Sequence, residues 1–302
     1  MAISFRWRGI RSARTARRVL AAGAGLALVA TISASAVAAP SAGTTSTTAA
    51  ASSASSQAGF AARPAVFLNG TWWLRSQLSS GPSRSFTFGL PGDWPVMGDW
   101  DGDGVATVGV YRYFANFGRF YLRNSNSSGA SWSFNFGLPG DEPVVGDWNG
   151  DGRDEVGLVR AQSKFPSQWF QRASTSTLPT AYKSFTFGII GDRPVAGDWN
   201  GDGIDTPGIT RDDGTRLRWF LRNANSSGPS QTLLFGVALD RPVVGDWNGD
   251  GHDGLGVVRT TRGVTASKYW YLRNTISTTS TLTSFKFGAG SQRPVVWTMP
   301  LP

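Results

Sequence analysis

The chain has 302 residues, 40% hydrophobic and 12% aromatic, which supplies enough apolar surface for a packed core and excludes disorder of the whole chain. Its formal net charge of +9 points to a nucleic-acid binder only until the charge is located: without Arg6, Arg8, Arg11, Arg14, Arg17 and Arg18 about +3 remains, spread through the chain, and no nucleic-acid partner is expected. Cysteine is absent, so no disulfide staples the fold.

The first element in chain order is a leader over residues 1–38. Its arginines precede an apolar run from Val19 to Ile32 and small residues ending at Ala36-Val37-Ala38, the three-part pattern of a secretory signal peptide. The run is shorter than the roughly 20 apolar residues that cross a bilayer, so no membrane span is expected after cleavage. Arg17-Arg18 leaves twin-arginine export open beside the general secretory route. Either way the mature protein is expected outside the cell. Residues 39–63 follow as a Ser/Thr/Ala-rich linker, which cannot bury enough apolar surface to fold.

From residue 64 to 302 the chain repeats with a period of about 50 residues. An aromatic pair followed by one residue and Arg recurs at Trp72-Trp73, Phe120-Tyr121, Trp169-Phe170, Trp219-Phe220 and Trp270-Tyr271. Phe-Gly recurs from Phe88, Phe136, Phe187, Phe235 and Phe287, and Pro-Val from Pro95, Pro143, Pro194, Pro242 and Pro294. Between these marks lie short β-rich runs punctuated by Gly, Asn, Ser and Pro, with no helical periodicity. Four strands per unit of this length make a propeller blade. Adjacent aromatics point to opposite faces of a strand, so both faces should be covered, as they are in a blade between two neighbours. The prediction is an all-β, five-bladed propeller with blades over residues 94–137, 142–188, 193–236 and 241–288. The fifth is split, with Pro294–Thr298 as its first strand and Ala65–Gly89 as the other three.

Four units carry Gly-Asp-Trp-(Asp/Asn)-Gly-Asp-Gly, beginning at Gly98, Gly146, Gly197 and Gly245. Alternating oxygen side chains on a glycine turn are what a calcium loop needs. Positions one, three and five are Asp99, Asp101 and Asp103; Asp147, Asn149 and Asp151; Asp198, Asn200 and Asp202; and Asp246, Asn248 and Asp250. Position seven would lend the backbone carbonyl of Val105, Arg153, Ile204 or His252. Metal-free Asp-Gly hairpin turns are the alternative, although clustered carboxylates repel one another without a cation and a turn requires only one of them. Magnesium, with its stricter octahedral demand, suits such a loop less well than calcium.

These repeats resemble the FG-GAP and VCBS families, the integrin-like calcium-loop propellers, over essentially all of residues 65–302. The resemblance implies up to four structural calcium ions, each held between the two inner strands of a blade, and a role in adhesion or recognition. It also implies a ligand at position nine, where this chain has Thr107, Glu155, Thr206 and Gly254. Glu155 fits that place best, the threonines offer a hydroxyl or an ordered water, and the fourth loop turns to Asp253 or water.

Catalysis finds little to build on. The single histidine, His252, sits inside the fourth loop, and of the 20 acids only Asp212 and Asp213 lie outside the loops and the turns before the Pro-Val strands. No catalytic residue is assigned, and the chain is read as a non-catalytic, monomeric binding module for an extracellular polysaccharide or surface protein. A glycoside hydrolase or other extracellular hydrolase on the same scaffold is the alternative. The variable segments between second and third strands would carry the ligand site through Trp94, Phe114, Phe117, Phe165, Asp212 and Asp213, unless they are merely unconstrained surface.

Overall fold

Five antiparallel sheets of four strands follow one another around a central axis. A computed structural model describes residues 59–178, 182–277 and 279–301. The predicted leader and nearly all of the predicted linker lie outside the described residues. The strands are β1 Phe60–Leu68, β2 Thr71–Leu74, β3 Arg84–Thr87; β4 Trp94–Gly98, β5 Thr107–Tyr113, β6 Gly118–Leu122, β7 Trp132–Asn135; β8 Glu142–Gly146, β9 Glu155–Arg160, β10 Gln168–Arg172, β11 Tyr182–Thr186; β12 Arg193–Gly197, β13 Thr206–Asp212, β14 Arg216–Leu221, β15 Gln231–Val237; β16 Arg241–Gly245, β17 Gly254–Thr260, β18 Ser267–Arg273, β19 Leu282–Ala289; and β20 Arg293–Pro300.

Strands β4–β7, β8–β11, β12–β15 and β16–β19 form blades I to IV, and the remaining sheet has the order β20-β1-β2-β3. Two distant parts of the chain thus complete one split blade, by an eight-residue antiparallel pairing from Phe60↔Pro300 to Phe67↔Arg293. This is the predicted closure, with one difference: β1 begins at Phe60, inside the segment read as linker. Ala61 and Ala62 are buried there because their backbone pairs with β20, an interaction that their weakly apolar sequence does not announce.

The inner strands β4, β8, β12, β16 and β20 neighbour one another in that order around the axis, and β20 neighbours β4. Each has one side free of ladder bonds, which is why Pro95, Pro143, Pro194, Pro242 and Pro294 are tolerated within them.

The repeated residues act mainly between blades. The first aromatic of each pair, Trp72, Phe120, Trp169, Trp219 or Trp270, is fully buried. Each of the four tryptophans donates its indole N–H to the carbonyl of the Phe-Gly phenylalanine of its own blade, at 2.8–3.0 Å. The second aromatic is only half-buried, on the opposite face. Tyr121, Phe170, Phe220 and Tyr271 lie beneath the guanidinium groups of Arg112, Arg160, Arg211 and Arg259, 4.6–4.9 Å from the ring centres. The arginine after the pair turns to the preceding blade: Arg75 stacks on Phe287, Arg172 on Phe134, Arg222 on Phe187 and Arg273 on Phe235. Trp100 packs with Val156 and Leu158 of the next blade, as expected of an inter-blade tryptophan.

Replacing Trp219 by Ala opens a large cavity between blades III and IV and orphans the Phe235 carbonyl. Urea denaturation should register a loss of about 3–5 kcal/mol, and a loss under 1 kcal/mol would mean that this interface can collapse around the gap.

Candidate metal loops and the two ends of the axis

The Asp-Gly loops join β4 to β5, β8 to β9, β12 to β13 and β16 to β17, all at one end of the axis. Their local geometry comes from the first aspartate. Asp99 Oδ1 accepts the amides of Gly102 and Asp103, and its Oδ2 accepts that of Gly104 at 2.7 Å. Asp147, Asp198 and Asp246 repeat this with Gly150, Asp151 and Gly152; Gly201, Asp202 and Gly203; and Gly249, Asp250 and Gly251. The fifth-position carboxylate accepts the seventh-position amide through Oδ1, at 2.8–3.0 Å in every loop, which leaves its other oxygen for a second partner. The fourth- and sixth-position glycines adopt φ of 74–84°, which a side chain would strain.

The loops differ in what faces those free oxygens. In the first, carboxylate oxygens of Asp99, Asp101 and Asp103 come within 4.8 Å of one another. In the second, Glu155 is 3% exposed; its Oε1 accepts a 3.2 Å bond from Asn149 and its Oε2 has no partner. Burial, then the charges of Asp151, Asp147 and Asp154, push its carboxyl up to about 8. In the third and fourth loops the Asn200 and Asn248 amides donate to the Oδ2 atoms of Asp202 and Asp250, so neutral donors occupy the place of a cation. Rotation of either amide would present its oxygen instead.

The position-nine threonines are turned to the base of their loops. Thr107 donates to the Gly98 carbonyl at 3.5 Å and Thr206 to Gly197 at 3.3 Å, with lone pairs left over. Gly254 offers no ligand, and a Cβ there would collide with the Arg273 carbonyl.

Asp253 does not turn into its own loop. Its Oδ2 accepts the Asp198 amide at 2.9 Å, while its own amide donates to the Asp198 carbonyl at 2.8 Å. Asp154 holds Asp99 and Asp205 holds Asp147 in the same two-way clasp. Ala106 donates its amide to Thr298 and Ala62 to Asp246, which completes five equivalent backbone bonds around the ring. The eighth position is therefore an inter-blade clasp, and the acid assigned to metal in the fourth loop belongs to the neighbouring one. Sequence reasoning assigned Asp253 within its own repeat, because its partner lies about 50 residues earlier.

The loops surround a cavity of about 470 Å³. Burial pushes Asp154 up to about 7 and Asp253 up to about 8, each further raised by neighbouring carboxylates.

At the other end lie the turns between blades and the hairpins between second and third strands, joined by backbone bonds such as Gly118 to Gly137 and Ser167 to Gly188. Four ion pairs, Arg112–Asp93, Arg160–Asp141, Arg211–Asp192 and Arg259–Asp240, bind each second strand to the turn before its inner strand at 2.7–2.8 Å. The same aspartates accept the amides of Leu90, Leu138, Ile189 and Val237, and Gln292 replaces them in the split blade. Spacing along the sequence signalled the acids of these turns, but not their arginine partners.

The predicted ligand residues are dispersed over this rim. Phe114 and Phe117 are half-buried and stack on each other at 4.8 Å, with the Arg119 guanidinium 5.5 and 5.4 Å away, so they are less available than expected. Trp94 is covered by Arg293 at 4.2 Å, whereas Phe165 is 67% exposed. Asp212 accepts the Gly214 and Leu239 amides, and Asp213 those of Thr215 and Arg216, so both carboxylates shape their hairpin. No protein-family model and no curated protein matches the chain.

Proposed function

We propose that this propeller is a secreted, calcium-stabilised binding module of the FG-GAP or VCBS type, directed at an extracellular polysaccharide or surface protein and without catalysis. The observation that carries the calcium reading is the second loop. A buried, unpartnered Glu155 oxygen stands near Asp147 and Asp151 at the position nine that such a loop requires. Asp147, Asn149, Asp151, the Arg153 carbonyl and Glu155 would hold the ion there, and the first loop would use its three aspartates, the Val105 carbonyl and Thr107. Calcium supplies charge neutralisation between inner strands, where a disulfide-free chain has no covalent staple.

Glu155→Ala is expected to reduce the calcium stoichiometry seen by calorimetry from about four to about three. An unchanged stoichiometry would remove loop two from the reading. The first two loops, each with three carboxylates, are expected to fill before the third and fourth, where an asparagine and only two loop carboxylates face the ion.

The binding reading draws on the distribution of constraint. Repeated residues are consumed by packing between blades, while the hairpins at the opposite rim differ in length and composition and carry exposed groups such as Phe165. Asp212 and Asp213 are adjacent and engaged by backbone amides, which suits a turn better than a pair of carboxylates opposed across a substrate. A glycan array with the calcium-loaded protein, run beside a pull-down from cell-envelope fractions, tests the proposal. Turnover lost on Asp212→Asn or Asp213→Asn would replace it with a hydrolase.

A further inference from the structure

The end of the axis away from the Asp-Gly loops is unlike the loop end in charge. Each inner strand places its first residue there, at equivalent register: Trp94 opposite Tyr111, Glu142 opposite Val159, Arg193 opposite Thr210, Arg241 opposite Val258 and Arg293 opposite Phe67. Because these strands neighbour one another around the axis, five residues separated by about 50 positions each become one ring, and three of them are arginines.

A fourth cation joins them. Lys268, in β18, is 3% exposed, and its Nζ donates to the Thr260 hydroxyl at 2.8 Å with no carboxylate in ion-pair range among the described residues. The fold does not call for a cation at this place, since Leu217 fills the equivalent position of blade III and is just as buried.

The Arg241 side chain is exposed and makes neither hydrogen bond nor ion pair among the described residues. Its charge reaches the others: after burial, Arg241 is the next cause that depresses the pKa of Arg193, Arg293 and Lys268. The nearby counter-charges are Glu142, which acts with Arg193 and Arg241, Asp212, whose oxygens already accept amides, and Asp240, which is ion-paired with Arg259. Arg193 spends one nitrogen on the Asp240 carbonyl, and Arg293 stacks on Trp94. Four cations thus gather at one end of the axis with fewer free carboxylates to answer them. A buried ammonium beside an unanswered guanidinium is unfavourable unless an anion completes the group.

We propose that this cluster is an oxyanion site that takes the carboxylate of an acidic sugar, with Arg241 as its free donor and Arg193, Arg293 and Lys268 setting the field. The choice of a sugar rests on the binding-module reading above; the oxyanion site does not. Guanidinium groups suit it because they present paired N–H donors to paired oxygens.

Calorimetry at constant ionic strength on the whole calcium-loaded protein tests this, with sodium glucuronate, neutral glucose and inorganic sulfate as probes. Glucuronate should bind and glucose should not. Arg241→Ala should weaken glucuronate at least about tenfold without moving the melting temperature, since the side chain is exposed and carries no contact of the fold. Glu142→Gln should tighten it by removing the competing carboxylate.

Sulfate binding as tightly as glucuronate would keep the oxyanion site and remove the sugar from it. Failure of all three probes, or glucuronate binding indifferent to Arg241→Ala, would overturn the proposal. Array binding to neutral glycans that survives Arg241→Ala would also overturn it while leaving the binding module intact. Sulfate binding lost on Arg241→Ala, with no glycan or protein captured, would sink the module reading and spare the site.

Discussion

Deleting residues 293–302 is expected to abolish cooperative folding of the propeller. The segment is the inner strand of the split blade, paired over eight residues with β1, and Trp297 donates its indole N–H to the Arg75 carbonyl. Removing it exposes the backbone edge of β1 and uncovers Ala65 and Val66, while β4 and β16 lose the strand that stands between them at the axis. Val295, Val296 and Trp297 pack against inter-blade clusters at a gain of about 1.5–3 kcal/mol each when well covered. Together with the lost ladder bonds, this is comparable to the whole net stability of an ordinary domain, about 5–15 kcal/mol. The truncated protein should lose its sharp thermal transition by circular dichroism and elute as aggregate, because an open edge invites pairing. A peptide of residues 293–302 added in trans should recover part of the transition by completing the sheet. A monomeric truncation melting at the full-length temperature would show that the ring holds without closure.

Chelation is expected to have the next largest effect. Extracellular calcium sites bind with dissociation constants of about 10⁻⁴ to 10⁻³ M, so at tenfold excess each contributes about 1.4 kcal/mol, and four contribute about 5.6 kcal/mol. For a domain of this size that corresponds to roughly 10–20 °C in melting temperature between millimolar calcium and a chelator. Magnesium at the same concentration should recover only part of the shift. Coincident melting curves in calcium and chelator would leave the loops as turns. Asp99 and its three counterparts are satisfied by backbone amides, so what the cation would contribute is relief of repulsion among the remaining carboxylates.

Blade number and blade limits were legible because each repeat carries its own marks: the Pro-Val inner strand, the aromatic pair and Phe-Gly. A lone first strand at Pro294–Thr298 and three further strands over Ala65–Gly89 pointed to the split blade. The start of β1 was hidden, since Phe60-Ala61-Ala62-Arg63 has no alternation and becomes a strand only against β20. The loops at positions one to seven were legible as local sequence. Position eight was not, because Asp154, Asp205 and Asp253 bond to the preceding blade. Nor was the stacking of Phe114 on Phe117, which turns two expected contact residues toward each other.

Local interactions, which depend on neighbours a few residues away, are written into the order of the amino acids: the glycine turns, the loop oxygens and the alternation that makes four strands. Convergence is not, because it joins residues whose separation along the chain is set by the blade and whose separation in space is set by the ring. The five inner-strand starts, with Arg193, Arg241 and Arg293 among them, look like unrelated positions until closure brings them around one axis and lets their charges act on one another. The clasps across blade boundaries arise in the same way, from packing of each blade against the one before it.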